Sequence, residues 1–171
     1  MDIDRLFADK EYLKSEIAFF LSKKHIKIIT KNNELISSHM EKARHNLEFY
    51  KLNKEHSKFN DWLVVILYYA LYHSALALIT NKRFSSKNHY ATILILIKEY
   101  SITKEEAQLL NELSINKEDA ELYTQLKDDR HNASYATNIK FDNQTIRDYE
   151  SKVNEFINKA QEMIQWKNSW I

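Results

Sequence analysis

No glycine and no proline occurs anywhere in the 171 residues of the chain. Tight β-turns need residues that tolerate positive φ or fix the turn, so a multi-stranded sheet is disfavoured. Long helices joined by turns that contain Asn and Ser are favoured instead. The absence of glycine also excludes a phosphate-cradling P-loop, a dinucleotide fingerprint and a nucleophile elbow. Cysteine is absent too, which excludes disulfides, a thiolate nucleophile and Cys-based zinc sites.

Apolar residues recur at helical spacing along most of the chain. The fold class that this pattern predicts is all-α, a helical bundle. Thr103 and Glu106 form a capping box that begins one of the short helices. No strand is expected, and residues 136–141 are interpreted as a loop. The helices are predicted at about residues 4–24, 33–53, 60–80, from a cap at Ser85 or Ser86 to about 100, 103–113, 116–136 and 142–166.

Residues 62–79 form an 18-residue run without a formal charge, at the lower limit for spanning a membrane. Three tyrosines, His73 and Ser74 lie within the run, and these favour packing inside a protein. We therefore expect the buried central helix of a soluble bundle, with no membrane partner. Three of the first five residues are charged, so the apolar run of a signal peptide is not expected there. A cytoplasmic location fits both features and the lack of cysteine.

The formal net charge is only +1, so any contact with nucleic acid has to be local. Asp129 and Arg130 mark one candidate site. On a helix that carries Leu122 and Leu126, a turn of about 100° per residue places both charges on or beside the inward face. Buried charges need a partner or a wet cleft. The pair is therefore either an internal clamp or part of a polar cleft, where the planar fork of Arg130 suits phosphate.

Two further groups could support a site. Tyr69 and His73 are four residues apart on the central helix and are neighbours there; they are either satisfied core residues or site residues. The loop at 82–89 carries Lys87 and His89, and is either a phosphate-binding loop or solvated surface. The lysines between residues 23 and 31 are interpreted as solvated surface. No two histidines are four apart, so neither a metal site nor a cofactor is expected.

Several segments together resemble the HEPN domain family over about residues 33–165. They are ISSHMEKARHNLEFYKLN, DWLVVILYYALYHSALALI, SSKNHYATILILIKEY and DDRHNASYATN. The most specific are YYALYHSALALI followed by SKNHYA, and the Arg-centred segment. The resemblance implies an all-α, HEPN-like up-and-down bundle of four to five long helices plus short helices, often dimeric. Many members are metal-independent ribonucleases, frequently toxins encoded beside a minimal nucleotidyltransferase antitoxin. The family motif is Arg, four to six residues, then His, and two motifs line one cleft in a dimer.

Arg130 matches the motif arginine, but Tyr135 stands where the histidine is expected. Tyrosine is a poor base at neutral pH because its ordinary pKa is about 10. Three alternatives follow: His131 has taken the role, Tyr135 acts only by hydrogen bonding, or catalysis has been lost. By the resemblance Arg130, His131 and Tyr135 are the catalytic candidates. Supporting roles fall to Asp129, Asn132, Ser134, Tyr69, His73, Lys87 and His89.

The resemblance implies a single HEPN-like domain over residues 1–171, with residues 1–32 as a helical extension packed on it. The expected function is a metal-independent endoribonuclease, the toxin of a toxin–antitoxin pair, acting as a homodimer. The alternative is a non-catalytic helical module that binds a nucleotidyltransferase partner, a nucleotide or RNA.

Overall fold

The computed structural model describes residues 2–55, 60–115 and 141–165. Within these ranges the chain is an all-α helical bundle, which confirms the predicted fold class, with one small two-stranded sheet added. The helices are α1 (Ile3–Ala8), α2 (Lys10–Ser22), α3 (Asn33–Asn53), α4 (Asn60–Asn81), α5 (His89–Tyr100), α6 (104–115) and α7 (Asn143–Gln165). The strands are β1 (Ile26–Ile28) and β2 (Phe84–Ser86).

Helix α4 is the central element, because α3, α5 and α7 all pack against it. Its side chains are buried nearly all round, and Leu67, Leu71 and Ile79 are fully inaccessible. This explains why the sequence of α4 is apolar without a polar face. Among the described residues, α4 is the one helix long and apolar enough to cross a membrane, and 72% of its apolar window is buried inside the fold. The core helix of a soluble protein passes the same test.

The helix ends follow local chemistry that the sequence already contains. The side chain of Asn32 accepts the backbone N–H of Leu35 and begins α3. Asp142 accepts the N–H of Thr145 at the start of α7. The predicted capping box of α6 is confirmed: Thr103 and Glu106 each accept the other's backbone N–H. Side-chain oxygens therefore satisfy the first N–H groups of these helices.

The single helix predicted at about residues 4–24 is wrong. The chain leaves helical geometry at Asp9, whose φ of −124° is extended, and α1 and α2 are separate. The carboxylate of Asp9 accepts the backbone N–H groups of Glu11 and Tyr12 and begins α2. The apolar stripe of the sequence continues across this break, which is why the pattern alone did not reveal it.

The prediction that the chain has no strand is also wrong. β1 and β2 pair antiparallel, with Ile26 opposite Ser86 and Ile28 opposite Phe84. Ser85 and Ser86 lie in β2 and do not cap α5; Asn88 does, by accepting the N–H of Ala91. The predicted helix at 116–136 and nearly all of the predicted loop at 136–141 fall outside the described residues.

The first two helices pack on the same core as the rest. Ile3, Leu6 and Ile17 are buried in the hydrophobic cluster that contains the central helix. The hydroxyl of Tyr90 on α5 donates a hydrogen bond of 2.8 Å to Glu16 on α2. Burial and this hydrogen bond raise the pKa of the Tyr90 hydroxyl. The N-terminal segment is therefore attached to α5 by apolar packing and by a specific polar contact.

Candidate functional site

The predicted site residues divide into two groups. Asp129, Arg130, His131, Asn132, Ser134 and Tyr135 lie outside the described residues. Tyr69, His73, Lys87 and His89 lie within them. The second group can therefore be placed, and its surroundings define the candidate site.

His73 lies on the least buried face of α4. That face also carries Trp62 and Tyr69, which are 45% and 37% exposed. The ring of Tyr69 contacts the ring of Tyr68 edge-on at 5.2 Å, so it packs beside its own neighbour on α4. His73 instead points across to α3. The sequence correctly placed Tyr69 and His73 on one face, but it did not reveal what His73 meets.

His73 meets His39 of α3, and the two Nδ1 atoms are 3.1 Å apart. Both imidazoles are half-buried. Burial lowers the pKa of His39. Burial, then the nearby His39 and Lys42, lowers the pKa of His73 to about 4. Desolvation and a second cationic group both disfavour the protonated ring. The two imidazoles are thus neutral at pH 7.

Neutrality fixes the hydrogen-bonding pattern of the imidazole pair, His39 and His73. One ring donates its Nδ1–H to the Nδ1 of the other. A neutral imidazole carries only one N–H, so the donating ring has an unprotonated Nε2 and the accepting ring has an Nε2–H. Whichever ring donates, the imidazole pair presents one basic nitrogen and one N–H donor. This combination can accept a proton at one atom and donate one at another.

His39 also lines a cleft of about 720 Å³. Three segments form most of this cleft: the turn and strand after α2, the first turns of α3, and the stretch from β2 to the start of α5. Its lining residues are Lys24, His25, Lys27, Leu35, His39, Leu76, Ile79, Thr80, Ser85, Ser86, Lys87 and Asn88. Among these described residues there are three lysines and two histidines, and no carboxylate. We refer to it as the cationic cleft.

The two predicted residues from the loop at 82–89 separate in the structure. Lys87 is exposed and lines the cationic cleft. His89 turns toward α4, where its ring lies 5.8 Å from that of Tyr68 and 5.6 Å from that of Tyr72. Burial raises the pKa of Tyr72. Of the four predicted residues in the described ranges, Lys87 therefore lines the cleft and His73 reaches it through His39.

Sequence reasoning missed three members of this site: His39, Lys24 and Lys27. Lys24 and Lys27 belong to the lysine stretch that was interpreted as solvated surface, and both do remain exposed. Their role as cleft lining depends on the pairing of β1 with β2, which brings Lys27 opposite Ser85. Within the described ranges, no group of three or more metal-ligating side chains converges.

The family model of the HEPN domain matches residues 36–170, which is most of the chain. The match begins in the first turn of α3 and includes His39, His73 and Lys87. It leaves α1, α2 and β1 outside, and with them Lys24 and Lys27. No match was found among curated proteins.

Proposed function

The chain belongs to the HEPN domain family, and on that premise we propose that it is a metal-independent endoribonuclease. It acts as a homodimer in the cytoplasm and serves as the toxin of a toxin–antitoxin pair. Its antitoxin partner is of the nucleotidyltransferase type. The family resemblance supports each of these roles, and the imidazole pair supports the chemistry.

The observation that carries the proposal is the imidazole pair, of which His39 lines the cationic cleft. RNA can be cleaved by its own 2′-hydroxyl, which attacks the adjacent phosphorus while the 5′-oxygen leaves. The reaction needs a base for the 2′-hydroxyl proton and an acid for the leaving oxygen. An imidazole that is neutral at pH 7 is already in the form that accepts a proton. In the pair, the basic Nε2 of one ring takes the 2′-hydroxyl proton, the shared Nδ1 proton passes to the other ring, and the Nε2–H of that second ring goes to the 5′-oxygen. Both imidazoles end neutral, and a metal ion is not needed for either transfer.

In this proposal, the residues of the Arg-centred segment have the roles that the family resemblance implies. Arg130 holds the scissile phosphate through its planar guanidinium. His131 and Tyr135 assist proton transfer or hydrogen-bond the substrate. Asp129, Asn132 and Ser134 position them. In this arrangement His39 and His73 supply the imidazole chemistry that Tyr135 does not provide.

The test is cleavage of a labelled RNA by the purified protein in EDTA. We expect the wild type to cleave and Arg130→Ala to abolish cleavage. His39→Ala should slow it by about 100-fold, the usual contribution of a general base. The matched control is His45→Ala, which removes an exposed histidine of the same helix and should leave the rate unchanged. Cleavage that survives Arg130→Ala overturns the site assignment, and a wild type without activity overturns the nuclease.

One sequence observation favours a second candidate, a non-catalytic HEPN module that binds a protein partner, a nucleotide or RNA. That observation is Tyr135 in the position of the motif histidine. In this case Asp129, Arg130 and Tyr135 form a structural clamp. Arg130→Ala then lowers the melting temperature and no variant cleaves RNA. The nuclease instead predicts an unchanged melting temperature with lost cleavage.

A further inference from the structure

The cationic cleft concentrates positive charge in a protein whose formal net charge is only +1. Lys24, Lys27 and Lys87 come from three different places in the chain: a helix end, a strand, and the segment before α5. Among the described residues, none of these three lysines forms an ion pair with a carboxylate. Since the lining of the cleft holds no acidic side chain to offset them, its potential is positive and is focused by the surrounding low-dielectric walls.

We propose that the cationic cleft is a phosphate-binding site that holds the backbone of an RNA strand. The inference rests on the proposed function, since it assigns to a ribonuclease the surface on which its substrate lies. Lysine amines bind phosphate as mobile point charges. The half-buried Ser85 adds a hydroxyl to the same lining. Together they offer charge and hydrogen bonds to successive phosphates.

The lining favours phosphates over bases. Sequence-tolerant binding of single strands through bases uses aromatic platforms on which the bases stack. Among the described lining residues, the only rings are the imidazoles of His25 and His39, and His25 already packs against Phe20 at 5.8 Å. The volume of about 720 Å³ lies within the usual size of ligand pockets. The cleft therefore recognises the charge of the strand rather than its sequence.

Two of the lysines come from a part of the chain that the family match does not cover. Lys24 and Lys27 precede residue 36, where the match begins. The antiparallel pairing of β1 with β2 brings this segment beside Lys87 and α5. The phosphate-binding surface is thus assembled by joining the N-terminal segment to the HEPN region.

The experiment is fluorescence anisotropy of a labelled 12-nucleotide single-stranded RNA, in EDTA and on the Arg130→Ala background so that the strand stays intact. Lys27→Glu and Lys87→Glu should each weaken binding by about tenfold. Each should also lower the slope of log K against log salt by about 0.7, the value for one phosphate contact with a single strand. Lys51→Glu is the matched control. It makes the same charge change at the far end of α3, about 18 Å along the helix from His39, and should bind like the parent.

Both lysines are exposed, so we expect unchanged circular dichroism in the variants. Equal binding by the parent, Lys27→Glu and Lys87→Glu overturns the cleft assignment, even if the wild type cleaves RNA. Loss of binding in the cleft variants supports it, even if the wild type does not cleave. A third arm titrates ATP and inorganic phosphate. If these bind in the cleft and the RNA does not, the assignment to an RNA strand is overturned.

Discussion

Within residues 2–55, 60–115 and 141–165 of this glycine-free chain, three residues adopt left-handed backbone geometry: Lys24, Arg83 and Ser101, with φ of 60°, 66° and 47°. Each follows the end of a helix, where glycine is usual. After α2, the N–H of His25 bonds to the carbonyl of Phe20 and that of Lys24 to Leu21, as in a Schellman motif. For a residue that has a Cβ, the left-handed conformation is about 1–2 kcal/mol less favourable than the right-handed one. The chain therefore carries strain at the ends of α2, α4 and α5.

Replacing one of these residues by glycine should stabilise the protein. We predict that Ser101→Gly raises the free energy of unfolding by about 0.5–1 kcal/mol, because relief of the Cβ strain exceeds the entropy gained by the unfolded chain. The measurement is urea denaturation followed by circular dichroism. Ser38→Gly, at an exposed helical position of α3, is the control and should lower stability by about 0.5 kcal/mol. A loss of stability in Ser101→Gly contradicts the strain argument.

The sequence could not reveal these positions, for a physical reason. Asn and Ser were expected in the turns because they tolerate unusual backbone geometry or hydrogen-bond locally. Ser101 fits that expectation. Lys24 and Arg83 do not, since a lysine or an arginine carries no local preference for positive φ. Their conformation is imposed by the strands that follow them, and the pairing of β1 with β2 joins residues almost 60 positions apart.

Sequence reasoning succeeded for the bounds of α3 but did not reveal how α3 meets α4. The bounds of α3 were predicted correctly because its buried stripe, which includes Ile36, Met40 and Leu47, repeats at helical spacing. The contact between His39 and His73 was not predicted. Helical periodicity defines the face of each helix, but the register between two helices depends on tertiary packing. In the sequence, His39 is next to Met40 of the buried stripe. This neighbour is the only local indication that His39 lies close to another helix.

The same contact predicts how stability depends on pH. Burial and the neighbouring His39 hold the pKa of His73 at about 4 in the folded protein, against about 6.5 when unfolded. Between these values the unfolded chain binds more protons, so stability rises with pH and levels off above about pH 7. Because the ring is only half-buried, solvent screening limits the contribution to about 1–2 kcal/mol. We predict a lower free energy of unfolding at pH 5 than at pH 7.5.

Carboxylates also titrate toward acid, so variants isolate the contribution of the imidazole pair. His73→Gln keeps a polar group facing His39 and removes the titration. We expect its stability to change less between pH 7.5 and pH 5 than that of the wild type. His45→Gln, at an exposed position of the same α3, should follow the wild type. If His73→Gln and the wild type lose equal stability, the imidazole pair is not responsible.

The hydrophobic core extends from the first helix to the last described one. Ile3 and Leu6 of α1 share a cluster with α4 and with Ile164 of α7. That residues 1–171 form a single domain, with residues 1–32 packed on the remainder, stays a prediction, and it can be tested by unfolding. A chain with one core unfolds in one cooperative transition. If the chain unfolds in one such transition, a substitution that destabilises the centre of the bundle also makes the unfolding of α2 more frequent. Helix α2 lies outside the family match.

Leu71→Ala tests this cooperativity, because Leu71 is 0% exposed at the centre of α4. Loss of its side chain should lower the free energy of unfolding by about 2–5 kcal/mol. Leu52→Ala is the control: Leu52 is 77% exposed, and its loss should cost no more than about 0.5 kcal/mol. The measurement is hydrogen exchange of backbone amides under native conditions. In a single unit the most protected amides of α2 and α4 lose protection by the same free energy in Leu71→Ala. If the amides of α2 keep their protection while those of α4 lose it, the N-terminal helices form a separate unit, and the single-domain prediction is wrong.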